Sequence, residues 1–300
     1  METLSIERRR LLRDHRLRWQ VRRCRDGSPF YRARLEAAGL GLATFGGLAD
    51  LERIPLLRSD DLPPPDKAGD ASKEWSVAPD KWWIYQYQPE EGWIRVLTDG
   101  DYLHQADLAA RALWASGGRS GGRLTWARPS WDRETSAVIA RAGQRIGMKD
   151  RHDSADAWPP KNGLLVVAVL SPDQSDGIGG DLDPGDTAVS WGASWPPLGT
   201  ADDRPAGALT VDRVAPTLAY ACREDEGVHW ADDHFLIEVV HPDDERAVET
   251  GSVGAVVITE LSREGSPLIR FWTGLEAALI EEPCPCGRTS TRSPSVRPLP

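Results

Sequence analysis

The chain has 300 residues, 40% of them hydrophobic, and a formal net charge of -10. That length suffices for one large α/β unit or two smaller domains with a sizeable core. The acidic balance argues against a nucleic-acid binder, because a polyanion is held mainly by counterion release onto Lys and Arg. No apolar run approaches the length of about 18 residues that a membrane helix needs, and no charged-then-apolar leader opens the chain. With four cysteines in a pattern unlike a disulfide framework, the expectation is a cytoplasmic protein with no membrane partner.

From Ser5 to about Arg25 the pattern is helical, and Asp26-Gly27-Ser28-Pro29 supplies the stop. Arg8, Arg9, Arg10, Arg13, Arg16, Arg18, Arg22, Arg23 and Arg25, followed by Arg32 and Arg34, are interleaved with Leu11, Leu12, Leu17 and Trp19. This reads as a basic helix docking on an acidic body, with an RNA-binding arm as the alternative. Cys24, inside it, reads as a buried thiol. A second short helix spans Phe30 to Ala38 and closes at Gly39. Leu48 to Leu62 is a short helix followed by the extended Ile54-Pro55-Leu56, and Pro63-Pro64-Pro65 imposes a stiff connection.

Trp82 to Tyr87 and Trp93 to Leu97 read as two strands of a hairpin turning at Pro89-Glu90-Glu91-Gly92. Thr98 and Asp101 have the spacing of a capping pair for a helix that ends at Gly117-Gly118, with Tyr102, Leu103, Ala106, Ala109, Leu113 and Trp114 on one face. Arg133 to Met148 is a second amphipathic helix. Leu164 to Leu170, Phe235 to Val240 and Val253 to Leu261 are apolar runs of strand length. The order predicts an α/β fold with helices packed on mixed sheets: residues 1–200 form the body with its N-terminal helical segment, and 201–300 form a β-rich part.

Three cysteines and a histidine suit a metal. Cys222 with His229, and Cys284-Pro285-Cys286 followed by Gly287-Arg288, make three thiolates and one imidazole. That set is what tetrahedral zinc prefers, and a closed four-ligand shell leaves no position for substrate, so the zinc would be structural. The one-residue gap between Cys284 and Cys286 is tighter than usual, and ordinary core packing is the alternative. Asp232, Asp233 and His234 lie near His229 in sequence and either orient it or form a solvated turn. Two other polar groups carry less: His152, Asp153 and Asp156 form a charged turn before Trp158, and the glycines from Gly177 to Gly180 lack dinucleotide-binding spacing. Thirteen tryptophans are dispersed along the chain. Most read as core, although Trp82-Trp83 and Trp126, Trp131 and Trp158 would also suit an apolar pocket.

Several segments in order resemble the phenylacetate-CoA ligase family of AMP-forming acyl adenylating enzymes. They are Ser28-Pro29-Phe30-Tyr31-Arg32 through Ile54-Pro55-Leu56, Gly227-Val228-His229 through Asp233-His234-Phe235, Pro267-Leu268-Ile269-Arg270 through Gly274, and Cys284-Pro285-Cys286-Gly287-Arg288-Thr289. The resemblance implies the adenylating fold with its zinc turn.

The chemistry-bearing segments depart from the family. Where it holds ATP phosphates with a Ser/Thr/Gly-rich loop, this chain has Tyr85-Gln86-Tyr87-Gln88-Pro89-Glu90-Glu91-Gly92. Two carboxylates and bulky rings oppose a polyphosphate. The family's ribose-binding acidic residue corresponds to Leu275, and its magnesium-placing Glu to Asp212. Trp191-Gly192-Ala193-Ser194-Trp195 resembles the adenine-side stretch, leaving Gly192, Ala193 and Asp212 as relics of a nucleotide side. The chain also ends at Pro300, where the family continues into a mobile C-terminal domain bearing a catalytic lysine.

The expectation is therefore a degenerate ligase-like protein with a structural zinc and without ATP or magnesium, binding a small carboxylic acid or a partner enzyme. The alternative is an active acyl- or aryl-CoA ligase completed by a separate protein. A third reading, an unrelated reaction in the remodelled cleft, has Asp212, His234 and Arg270 as its polar candidates.

Overall fold

The structure is a computed structural model describing residues 2–41, 44–63, 74–77, 84–88, 93–126, 133–150, 166–170, 187–192, 206–211, 215–222, 224 and 227–300. The chain divides into two compact units: 1–102 with 232–279 and Leu299, and 103–231 with 280–298 and Pro300. This partition differs from a linear cut at residue 200. Sheet pairing is indifferent to sequence distance, so late segments complete early ones.

In the first unit, helix α1 (Ile6–Gly27) starts under Ser5, whose hydroxyl accepts the Arg8 N–H at 3.4 Å. Its inward face is basic as well as apolar. Arg9, Arg16 and Arg23 recur every seven residues, which nearly closes two helical turns. Arg9 pairs with the Asp232 carboxylate, Arg16 donates to the Asp233 carbonyl, and Arg23 donates to the carbonyls of Arg263 and Glu264 at 3.0 and 2.8 Å. The docking role expected of the basic helix is thus carried by one arginine per two turns. Cys24 is fully buried, and burial pushes its thiol far up. Helix α2 (Pro29–Ala37) follows with Ser28 as N-cap and proline in its first turn.

Strands β1 (Ile84–Gln88) and β2 (Trp93–Leu97) pair antiparallel with Gln88 opposite Trp93, as the hairpin reading required. The turn residues 89–92 lie outside the described residues. Thr98 and Asp101 cap helix α3 (Asp99–Ala115) reciprocally: the Thr98 N–H donates to the Asp101 carboxylate at 3.0 Å, and the Asp101 N–H to the Thr98 hydroxyl at 3.1 Å. Later in the chain, β10 (Phe235–Val240), β11 (Gly254–Glu260) and β12 (Phe271–Ala277) form an antiparallel meander, and Leu56, Val240, Ala255 and Val257 build a core cluster on it. Arg95 and Glu260 are buried there as a pair, with Arg263 donating to the same carboxylate at 3.1 Å.

The second unit is built on one eight-stranded sheet. In spatial order it runs β13 (Arg292–Ser293), β9 (Val228–Trp230), β8 (Ala215–Ala221), β7 (Ala206–Val211), β6 (Thr187–Gly192), β5 (Val166–Leu170), β3 (Arg123–Trp126) and β4 (Lys149–Asp150). Pairing is parallel from β4 to β7 and antiparallel from β7 to β13. Helix α3 buries Ala106, Ala109 and Leu113, as its apolar spacing predicts. Trp114, expected on that face, is instead 47% exposed, with the Arg119 guanidinium 4.0 Å above its ring. Helix α4 (Arg133–Arg145) buries Val138, Ile139 and Ala142. Among the described residues no helix is long and apolar enough to cross a membrane.

Candidate metal centre

The antiparallel edge of the large sheet gathers the four expected ligands. Cys222 follows β8 directly, and His229 is the middle residue of β9, opposite Tyr220 on one side and Arg292 on the other. Two backbone hydrogen bonds of 2.8 Å between Ile280 and Arg292 close the segment between them into a loop over that edge. Within it, Cys284 donates its N–H to the Arg288 carbonyl and receives the Gly287 N–H on its own carbonyl, both at 2.9 Å. Gly287 lies at φ +85°, the left-handed region that a side chain strongly disfavours.

The four ligating atoms lie within 4.8 Å of one another and could hold a metal ion. The Cys222 and Cys284 sulfurs are 3.7 Å apart, and Cys286 Sγ is 3.5 Å from His229 Nε2. A tetrahedral zinc with bonds of about 2.3 Å to sulfur and about 2.05 Å to nitrogen has edges of about 3.8 and about 3.5 Å. His229 Nδ1 meets the Ser290 hydroxyl at 3.0 Å, which leaves Nε2 directed at the thiols. Thus Ser290, and not the Asp232 to His234 turn, is the orienting partner. Its only signal in the sequence is its position just past the Cys-Gly-Arg-Thr turn.

Electrostatics divide the thiols. Burial raises Cys222 and pushes Cys284 up to about 12. Burial also acts to raise Cys286, but the Arg288 N–H and guanidinium outweigh it and lower the pKa. For His229, burial first, then the charges of Arg288 and Arg292, depress the imidazole to about 3, so it is neutral and ready to donate a lone pair.

Arg270 and His234, the polar candidates among the described residues, each have partners of their own. Arg270 is buried at φ +50° and donates to the Glu52 and Ile54 carbonyls at 3.1 and 2.7 Å, with Glu238 Oε1 3.0 Å from its Nη2. Its charge is spent on holding strands and the preceding segment together. His234 Nδ1 meets the Ser262 hydroxyl at 2.7 Å, with the Asp233 carboxylate 3.7 Å from Nε2. Gly192 ends β6 opposite Leu209, while Ala193 and Asp212 lie outside the described residues, as do the side chains of Trp82, Trp83, Trp126, Trp131 and Trp158. Leu275 on β12 is 4% exposed.

No protein-family model matches the chain. It is 29% identical over 332 aligned residues to phenylacetate-coenzyme A ligase of Thermus thermophilus, covering 97% of this chain and 70% of that one. Against the Escherichia coli phenylacetate-coenzyme A ligase the identity is 25%, over 91% of this chain and 68% of the relative. Among solved structures, 2-hydroxyisobutyryl-CoA ligase in the postadenylation state with 2-HIB-AMP has a TM-score of 0.78 at 19% identity, covering 98% of this chain and 68% of that one. An open conformation of the same ligase with 2-HIB-AMP and CoA has a TM-score of 0.74 at 20% identity, over 98% and 75%. Because that fold is solved with an acyl adenylate in place, the expected loss of ATP finds no support in the fold. In sequence this chain is similar to the phenylacetate-CoA ligases, and it has the fold of the adenylate-forming enzymes.

Proposed function

We propose that this chain is a ligase-like binding protein, stapled by a structural zinc, that holds a small carboxylic acid without adenylating it. The observation that carries the reading is Leu275. A buried aliphatic side chain stands where the resembled family places the carboxylate that bonds the ribose hydroxyls. A hydrogen bond to a charged group contributes about 1.5 to 3 kcal/mol, so this replacement alone weakens nucleotide binding. Glu90 and Glu91 add repulsion on the phosphate side. A reducing, cytoplasmic setting suits the zinc, since three free thiols must stay available to it.

Calorimetric titration with Mg-ATP tests the claim, alongside pyrophosphate exchange with phenylacetate and other small carboxylic acids. No heat of nucleotide binding at millimolar concentration is expected, together with ATP-independent binding of a carboxylic acid. Carboxylate-dependent pyrophosphate exchange would overturn it and favour the second reading, an active acyl-CoA ligase. The similarity to phenylacetate-CoA ligases is what keeps that reading in play.

A further inference from the structure

We infer that Arg288 is the shielding residue of the Cys/His centre, its guanidinium capping the Cys286 sulfur against attack and ligand loss. The inference rests on the metal reading above. Cys222, His229 and Cys284 are buried, and Cys286 is the most exposed of the four. Ligand exchange and thiol chemistry both start at an accessible sulfur, so the lifetime of the centre is set at Cys286.

The geometry places Arg288 to control that sulfur. Gly287 folds the backbone back in the left-handed region, and the Arg288 carbonyl is pinned by the Cys284 N–H. The side chain then returns over the turn, with Nη1 3.5 Å from Cys286 Sγ. Its guanidinium carbon lies 5.7 Å from the centre of the Tyr220 ring, a cation-π distance that holds it in place. Three thiolates around a divalent ion leave one negative charge in excess, and a buried excess charge is costly without a counter-charge. Arg288 supplies that counter-charge and donates an N–H to the one sulfur that needs cover. The hydrogen bond draws electron density from the thiolate and lowers its nucleophilicity, and the guanidinium plane limits access.

The test compares wild type, Arg288→Ala and Arg288→Lys as zinc-loaded full chains. Zinc affinity is measured by competition with a chromophoric chelator, and iodoacetamide labelling is mapped by mass spectrometry. In labelling, the cysteine sulfur forms a bond to carbon and iodide leaves. Arg288→Ala is expected to bind zinc about 10- to 100-fold more weakly, as outer-shell losses do, and to be labelled first and fastest at Cys286. The lysine variant, which keeps the charge without the planar fork, is expected to fall between and serves alone if the alanine variant does not fold. Unchanged affinity together with unchanged Cys286 labelling would overturn the inference, as would first labelling at Cys222 or Cys284. A wild-type chain that binds no zinc would sink the metal reading instead.

Discussion

Arg9 and Asp232, 223 residues apart in sequence, meet as a buried ion pair with each side chain 5% exposed. The contact ties the first turns of α1 to the segment leading into β10. Replacing Arg9 by Met leaves the Asp232 carboxylate buried without its guanidinium, and removing one partner of such a pair costs about 3 to 5 kcal/mol. Urea denaturation of Arg9→Met should show that loss, and the double variant Arg9→Met with Asp232→Leu should recover most of it. Equal stability of the single variant and wild type would show that the pair contributes nothing.

Ser290 fixes the imidazole of His229 from the side opposite the thiols. Ser290→Ala removes that partner while leaving all four ligands in the chain. Zinc affinity should fall about 10- to 100-fold, and chelator-induced unfolding should begin at lower chelator concentration. An affinity equal to that of wild type would remove Ser290 from the centre.

His229 also sets a pH dependence. In the unfolded chain an imidazole takes a proton near pH 6.5, whereas in the fold burial holds it neutral down to about 3. Its folded pKa is depressed, so its stabilising contribution is present above pH 6.5 and is lost as pH falls toward 3. The unfolded state binds the extra proton, with a slope of up to about 1.4 kcal/mol per pH unit. Bound metal acts in the same direction, because acid competes for the same nitrogen. Urea midpoints at pH 7.5, 6.5 and 5.5 should fall in sequence, and the fall should be shallower in His229→Asn. An identical slope in both proteins would exclude His229 as the titrating group.

Gly227 precedes β9 at φ +85°, and a Cβ there would overlap the Ser293 carbonyl oxygen and carbon in β13. Gly227→Ala forces both a strained backbone and a displacement of the strand that carries the loop end. Destabilisation by more than about 1 kcal/mol is expected, together with weaker zinc retention, measured by thermal denaturation and metal content. Full stability with full metal content would show that the edge tolerates the shift.

Much of the fold was legible locally. The Thr98–Asp101 pair announces a helix start and makes the reciprocal capping hydrogen bonds that its spacing implies. The β1–β2 hairpin and the β10 and β11 runs follow from alternation and apolar length, because these signals arise within a few residues. The four residues that could hold a metal were legible as well, since few packing arrangements place Cys-x-Cys on a charged turn. The partners of Arg270 were not legible, because Glu238 and the Glu52 and Ile54 carbonyls reach it only through the fold.

By itself the sequence determined which segments are helical or extended, which four side chains are able to bind a soft divalent ion, and the kinship with acyl-adenylating enzymes. Only the tertiary structure decided that arginines seven residues apart anchor α1, that Ser290 orients His229, and that Arg288 covers Cys286. Local signals depend on backbone propensities over one or two turns. Partnerships between charges and hydroxyls depend on which distant strands pair, and that is settled by packing of the whole sheet.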